Sequence, residues 1–402
     1  MELEENFLTR QYNLKESARQ AFSDRTARST EQLQWWVNRE EEVKLWNEVL
    51  IKSKKVYKNF LVFIVGSYGR GKTLSLFKVC EDAKRHKQIF PVYLSFKGEE
   101  RSKPGFDFIQ RIFKNIDFQA LTDGRSEEEI QSAVSRIPIK LNEPKSVLQK
   151  LYFGGRGVLT PFFMKDELKN VFPDSEAGRM ALNFITGEIR PTAQQLKILG
   201  VVRKLDKIDV LKEYLAAILC FVRNLGYHSL LLAIDEFECL FTLVPKSEHG
   251  IYVALLRSLY DFPSGQAVDS KKISNILFFV AVSEAGWNSL RDMKRRESVV
   301  GGPTVPLLER TDLVRSLPAF DKDSTRELIE LRLKYNRAHR ALMRRALIPF
   351  SEDFVDFVYE HTKGEPRAIV TDCGQVLDAG ILEKVKLLDR SFAQRVLEER
   401  GL

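Results

Sequence analysis

The stretch at residues 61–76, LVFIVGSYGRGKTLSL, constrains the fold more than any other part of the chain. Residues 61–65 form a short apolar, β-branched run, the pattern of a buried strand. Gly66-Ser67-Tyr68-Gly69-Arg70-Gly71-Lys72-Thr73 follows at once, and from Thr73 and Leu74 the pattern becomes helical. Strand, then G-x-x-x-x-G-K-[ST], then helix is the layout of a phosphate-binding loop. The residue types suit that chemistry. Gly66, Gly69 and Gly71 let the loop turn its backbone N–H groups inward around phosphate oxygens. The new helix presents its positive end to the same anion. Lys72 can reach the β- and γ-phosphates as a point charge, and Thr73 can offer its hydroxyl to Mg²⁺. The competing reading is a glycine-rich turn without a ligand; the full motif in its required context argues against it. ATP with Mg²⁺ is the expected ligand.

At 402 residues the chain is too long for one ordinary domain, so two or three are expected. It is 44% hydrophobic and 29% charged, and it has no apolar run of about 18 residues that could span a membrane. The N-terminus, MELEENFLTRQ, lacks the basic-then-apolar layout of a signal peptide, so a cytoplasmic location is expected. Cys80, Cys220, Cys239 and Cys373 are scattered, with no C-x-x-C pair, which points to small core residues rather than zinc or disulfides. The net charge of +8 permits an anionic partner such as DNA, but it also serves plain solubility.

Residues 1–34 are polar and charged, without a strong apolar stripe. Trp35-Trp36 then leads into Val37-Asn38-Arg39-Glu40-Glu41-Glu42 and a helix, with Asn38 expected as N-cap and Glu41 as its capping-box partner. Residues 90–96 read as a second buried strand, and residues 106–116 as an amphipathic helix. A long region at 118–228 follows. Its Gly154-Gly155-Arg156-Gly157 has no strand before it and no GK[ST], so it reads as a connection rather than an anion loop. His228, in the turn after an apolar helix at 210–225, has no second His or Cys nearby and reads as solvated.

The apolar run 229–234, SLLLAI, ends in Asp235-Glu236. Downstream of a phosphate loop, this predicts Asp235 as a Mg²⁺ ligand and Glu236 as the carboxylate that orients the attacking water. Glu238 is expected simply to be solvated. Residues 273–282, ISNILFFVAV, form another apolar strand that ends at Ser283, and residues 312–320 form the last core strand. The basic cluster at 291–296, RDMKRR, reads as a solvated helix end. From residue 321 the pattern is helical, over 324–337, 351–361, 367–377 and 390–400. Gly364-Glu365-Pro366-Arg367 opens the third of these helices, where proline at the first turn fixes the direction of Arg367.

These marks resemble an AAA+ ATPase of the archaeal origin-initiator (origin recognition complex-like) clade. The V-N-R-E-E-E at 37–42 resembles that clade's V-G-R-E-x-E box, with Asn38 where the family usually has Gly. The resemblance implies that Val37 and Arg39 border the adenine, that Ser283 is sensor 1, and that Arg367, in G-x-P-R, is the sensor 2 arginine. It also implies that Arg310, just before the last core strand, is an arginine finger serving a neighbouring subunit, with Arg295 and Arg296 as rivals. The implied architecture is α/β: an N-terminal arm at 1–34, a P-loop αβα core with a parallel sheet at 35–320 carrying a helical insertion at about 118–228, and an all-helical lid at 321–402. The chain runs only to residue 402, so the clade's C-terminal winged-helix DNA-binding domain is not expected. A second, narrower resemblance is to the ATP-binding proteins of BREX phage-defence systems. It rests on residues 181–188 (ALNFITGE), 225–227 (LGY) and 230–238 (LLLAIDEFE).

Together these imply an ATP-hydrolysing, oligomeric switch or motor in a DNA-related process such as replication, defence or mobile-element control. The alternative is a nucleotide-gated binding module that hydrolyses weakly and recruits a protein partner. A small-molecule kinase sharing the phosphate loop fits poorly, because G-x-P-R is unlike a kinase lid.

Overall fold

The structure, a computed structural model, describes residues 2–23, 30–96, 106–154, 175–239, 246–262, 269–300, 302–339 and 346–399. The chain divides into two units. One comprises Met1–Lys44, Val65–Lys78 and Ser316–Leu402, the other Leu45–Ile64 and Val79–Arg315.

The second unit is built on a sheet of β1 (Phe60–Val65), β2 (Ile89–Ser95), β3 (Ser229–Asp235), β4 (Asn275–Val282) and β5 (Leu313–Ser316), in the order β2-β3-β4-β1-β5. β2, β3 and β4 are parallel and start level, with Ile89, Ser229 and Asn275 as neighbours. Asn59 fixes β1 in the same direction, its Oδ1 accepting from the Ile276 N–H at 2.7 Å. β5 follows suit, with the Asp312 N–H donating to the Leu61 carbonyl at 2.9 Å and the Leu317 N–H to the Val65 carbonyl at 2.7 Å. β1, β3 and β4 are buried along their whole length, which is why they read as unbroken apolar runs rather than alternating ones.

The last strand is shorter than the 312–320 expected and ends at Ser316. It lies at the edge of the sheet, where burial on one side only gives alternating exposure, and Pro318 offers no N–H to prolong the ladder. Between β2 and β3 the described residues form the helices Phe106–Asn115, Glu127–Ser135, Asn142–Phe153, Glu176–Ile185, Ala193–Leu199 and Ile208–Asn224. Residues 155–157 of the glycine-rich connection lie outside the described residues.

The first unit has its own apolar core. The helices Lys322–Tyr335, Glu352–Thr362, Pro366–Leu382 and Arg390–Glu399 pack around Leu328, Phe354, Ile369, Val376 and Leu397. Leu8, Tyr12, Leu14 and Phe22 join that core, although the segment that carries them shows little apolar periodicity. Asn38 does not cap the helix Glu40–Ser53, contrary to expectation. The Arg39 carbonyl accepts the first intrahelical bond, from the Val43 N–H at 2.9 Å, and the Asn38 amide is spent on the Ser324 hydroxyl. Asn38 has φ +42, a left-handed conformation that glycine or asparagine tolerates, which accounts for Asn where the resembling family has Gly.

Candidate nucleotide site

The loop Gly66–Thr73 belongs to the first unit, and so do Val37, Arg39 and Arg367. Gly69 and Gly71 have φ of +94 and +86, so the loop is folded through the left-handed region that glycine permits. Helix Lys72–Arg85 starts directly on the loop, and the N–H groups of its first turn have no acceptor within the helix, the arrangement that binds anions. Lys72 is buried, and its Nζ donates back to the Gly66 and Ser67 carbonyls at 2.9 and 3.2 Å. Phosphate oxygens are the competing acceptors for that ammonium.

Two contacts tie the loop to the G-x-P-R turn. The Arg70 guanidinium pairs with the Glu365 carboxylate, Nη2 to Oε1 at 2.7 Å and Nε to Oε1 at 3.0 Å, and its Nη1 donates to the Leu317 carbonyl at 3.2 Å. The Arg367 guanidinium lies 4.2 Å from the centre of the Tyr68 ring. Gly69 makes this approach possible, because a Cβ there would stand 2.6 Å from the Arg367 Cβ. Pro366 occupies the first turn of helix Pro366–Leu382, as the sequence predicts.

A cavity in this unit is lined by Val37, Arg39, Gly71, Leu74 and Arg367, all expected from the sequence. It is also lined by Gln32, Trp35, Trp36, Phe320, Arg332 and Val370, which the sequence did not single out. Gln32, Trp35 and Trp36 precede the V-N-R-E-E-E box and Val370 follows G-x-P-R, whereas Phe320 and Arg332 are near neither motif in the sequence. The walls are largely aromatic and aliphatic, suited to a purine. The Trp35 Nε1 is buried with no hydrogen-bond partner among the described residues, an unspent donor of the kind a base acceptor would satisfy. Arg39 is itself buried; its Nη2 donates to the Pro318 carbonyl at 2.8 Å and its guanidinium sits 5.0 Å from the Phe320 ring centre. ATP therefore fits this set of residues.

The second unit carries Asp235, Glu236, Ser283 and Arg310. Asp235 ends β3 and is buried; its Oδ2 accepts from the Tyr93 hydroxyl at 2.9 Å and its Oδ1 from the Glu236 N–H at 2.9 Å. Burial and the Asp235 carboxylate push the Tyr93 phenol well above its usual range, so it stays a donor. Glu236 has φ +53, a costly backbone for a side chain of this type. Its Oε2 accepts from the Ser95 hydroxyl at 3.4 Å, and the Phe237 N–H donates to the Ala281 carbonyl at 3.2 Å.

Ser283 follows β4, and its Oγ accepts from the Gly286 N–H at 3.1 Å, at the start of helix Glu284–Val300. Glu238, expected to be solvated, is half-buried, and a Cβ at Gly286 would stand 2.7 Å from its Cβ. Arg291, Arg295 and Arg296 are exposed along helix Glu284–Val300. Arg310 closes the short helix Thr304–Glu309, with its Nε 2.7 Å from Asp261 Oδ1 and its Nη1 donating to the Pro306 carbonyl at 3.0 Å. Its sequence neighbour Asp312 is taken by Lys58, at 2.6 Å, and by the Leu61 N–H, at 2.9 Å.

Thr73 in the first unit and Asp235 in the second each carry an oxygen donor of the hard type that Mg²⁺ accepts. When bound, that ion neutralises phosphate charge.

The chain has the fold of the ORC2 protein. The ADP form of ORC2 from Aeropyrum pernix superposes with a TM-score of 0.50 at 14% identity, over 95% of this chain and 72% of that one. A Drosophila ORC structure bound to DNA aligns at a TM-score of 0.48 and 12% identity, over 98% of this chain and 67% of that one. The parallel sheet with its flanking helices is part of that shared α/β fold. Residues 168–296 match the sequence model of the family described as BREX system ATP-binding protein BrxC/D. That span takes in all three blocks on which the BREX resemblance rests. No curated protein sequence is matched by the chain.

Proposed function

We propose that the protein is an AAA+ ATPase that binds ATP and Mg²⁺ on the loop at residues 66–74, hydrolyses ATP, and acts as an oligomeric switch or motor in a DNA-related process. The observation that carries this reading is the cavity in which the glycine loop, the box around Val37 and the arginine of G-x-P-R all take part. The name of the family matched by residues 168–296 includes ATP binding, which supports it.

In this reading Lys72 and Arg367 neutralise charge on the γ-phosphate, and Asp235 and Thr73 hold the metal. Glu236 orients water for in-line attack, Ser283 contacts the γ-phosphate or that water, and a neighbour's Arg310 completes the site. Two substitutions test it. Lys72→Ala removes a phosphate contact and is expected to weaken ATP binding at least tenfold. Glu236→Gln keeps size and polarity but loses the charge that orients water, so ATP stays bound while turnover falls by about 10² or more. Equilibrium nucleotide binding and steady-state phosphate release, measured on both variants, check the separation. Wild-type turnover by the Gln variant removes Glu236 from the catalytic role.

One observation favours the second reading, a nucleotide-gated module with weak hydrolysis. Arg310 is already paired with Asp261 of its own chain. A finger held at home serves no neighbour until that pair opens, so slow basal turnover that a partner accelerates is the expected signature.

A further inference from the structure

A parallel sheet sends all its strand starts to one edge. Here that edge collects the segments leading into β1, β2, β3 and β4. Ile89, Ser229 and Asn275 stand level. The Asn275 Nδ2 donates to the Ser53 and Val56 carbonyls at 3.0 and 2.7 Å, which brings the lead-in to β1 to the same place. The N–H groups of His228 and Ser229 both donate to the Gln88 carbonyl, at 2.7 and 3.2 Å.

These turns are densely cationic. Glu81 takes up Lys84 at 2.6 Å, Asp82 takes up Arg85 at 3.3 Å, and Asp312 takes up Lys58 at 2.6 Å. That leaves Lys52, Lys54, Lys55, Lys87, Lys271 and Lys272 with no ion pair among the described residues. The Arg223 guanidinium lies 5.3 Å from the centre of the Tyr57 ring and donates to its hydroxyl at 3.2 Å, and Tyr57 is 52% exposed. The Lys54 Nζ stands 3.2 Å from His86 Nδ1. Burial and then Lys54 hold His86 below the usual imidazole range, and burial and then Arg223 do the same to His228. Burial is the larger cause in both, and the neighbouring cations act in the same direction.

The carboxylates of Asp235 and Glu236 do not cancel this charge. They lie at the other end of β3, a seven-residue strand and so about 20 Å away. That is more than two Debye lengths, each about 8 Å at physiological salt.

We propose that this strand-start edge is a docking surface for the phosphodiester backbone of duplex DNA. Turns on four adjacent strands, about 4.8 Å apart, span about 15 Å. That is wide enough to reach phosphates on both sides of a major groove about 12 Å across. Lysine, arginine and tyrosine hydroxyl are the side chains that make such contacts. An anionic membrane fits less well, since these turns form no amphipathic helix to lie in its interface. The surface contains no residue of the phosphate loop, so this inference does not depend on ATP hydrolysis.

The test is fluorescence anisotropy of the full chain with a mixed-sequence 30-base-pair DNA across a salt series. It compares wild type, the triple variant Lys54→Glu/Lys55→Glu/Lys87→Glu, and a charge-matched control, Lys140→Glu/Lys197→Glu/Lys204→Glu, at exposed lysines elsewhere. Each phosphate contact adds about 0.9 to the salt slope, so the triple variant should lose at least tenfold in affinity at low salt and about 2–3 in slope. The control should stay within about twofold of wild type, since it removes no contact. If the Glu variant fails to fold, the corresponding triple Ala variant should show the same direction. Any of four results in the anisotropy assay overturns the proposal: wild type that does not bind at low salt, a triple variant that binds like wild type, a control that loses as much, or displacement of the duplex by polyglutamate of matched charge as effectively as by unlabelled duplex. The last would assign the surface to acidic protein. Preferential capture by phosphatidylserine vesicles would overturn it in favour of a membrane.

Discussion

Tyr68 occupies one of the variable positions of the glycine-rich loop Gly66–Thr73, and it is 70% exposed, yet it carries the Arg367 guanidinium on its ring at 4.2 Å. The ring holds the arginine beside the loop, so in the proposed reading less ordering remains when the γ-phosphate binds. A cation–π contact at an exposed site contributes about 0.5–1 kcal/mol, which corresponds to about two- to fivefold in an equilibrium or rate. Tyr68→Ala should therefore weaken ATP binding or lower kcat by that factor, while Tyr68→Phe, which keeps the ring, should match wild type. Equal losses in both variants would move the effect to the hydroxyl. Glu236 belongs to the same scale. Its φ of +53 directs the side chain after β3, and the Ser95 hydroxyl meets it there. Its place after an apolar strand is readable in sequence, but its backbone conformation is not, because that follows from the neighbouring strands.

At the scale of elements, the turn into helix Pro366–Leu382 is specified three times over. Pro366 fixes the first turn, Glu365 holds Arg70, and Gly364 permits a close backbone approach. The Phe320 N–H donates to the Gly364 carbonyl at 2.8 Å, and a Cβ on Gly364, which has φ +73, would stand 1.9 Å from the Phe320 carbonyl oxygen. Gly364→Ala should therefore lower the midpoint of thermal unfolding by several degrees and weaken ATP binding through Arg367, since side chains at such a φ are strained and this one also meets backbone. Differential scanning calorimetry with and without ATP checks both effects. An unchanged midpoint would mean that the turn relaxes freely. The G-x-P-R spacing was legible, as were the helices that follow it, because capping residues and apolar periodicity are local signals. The role of Gly364 against Phe320 was not, since 44 positions separate the two in the chain (364 − 320 = 44).

For the whole molecule the prediction is a site shared between copies. If Arg310 serves a neighbour, Arg310→Ala should leave ATP binding intact and reduce turnover by about 10³. Mixing it with Lys72→Ala should restore part of the activity, because the Lys72→Ala subunit still donates a finger. No recovery in any ratio, with assembly shown by sedimentation, would leave Arg310 as the partner of Asp261 and nothing more.

By itself the sequence determined the glycine-rich turn between strand and helix, the acidic strand end, the parallel α/β class and the helical C-terminal region. Each of these is written in a few contiguous residues whose spacing carries the chemistry. The wall of the cavity was decided only in three dimensions. Gln32 and Trp35 come from a segment with little periodicity, and Arg332 and Val370 from helices that look like ordinary core. The same holds for Leu8, Tyr12 and Phe22, which are buried although their segment reads as polar. It holds too for the partner of Arg310, which is Asp261 rather than a sequence neighbour. In all these cases packing brings together residues far apart in the chain, and no local pattern records which distant surface a side chain will meet.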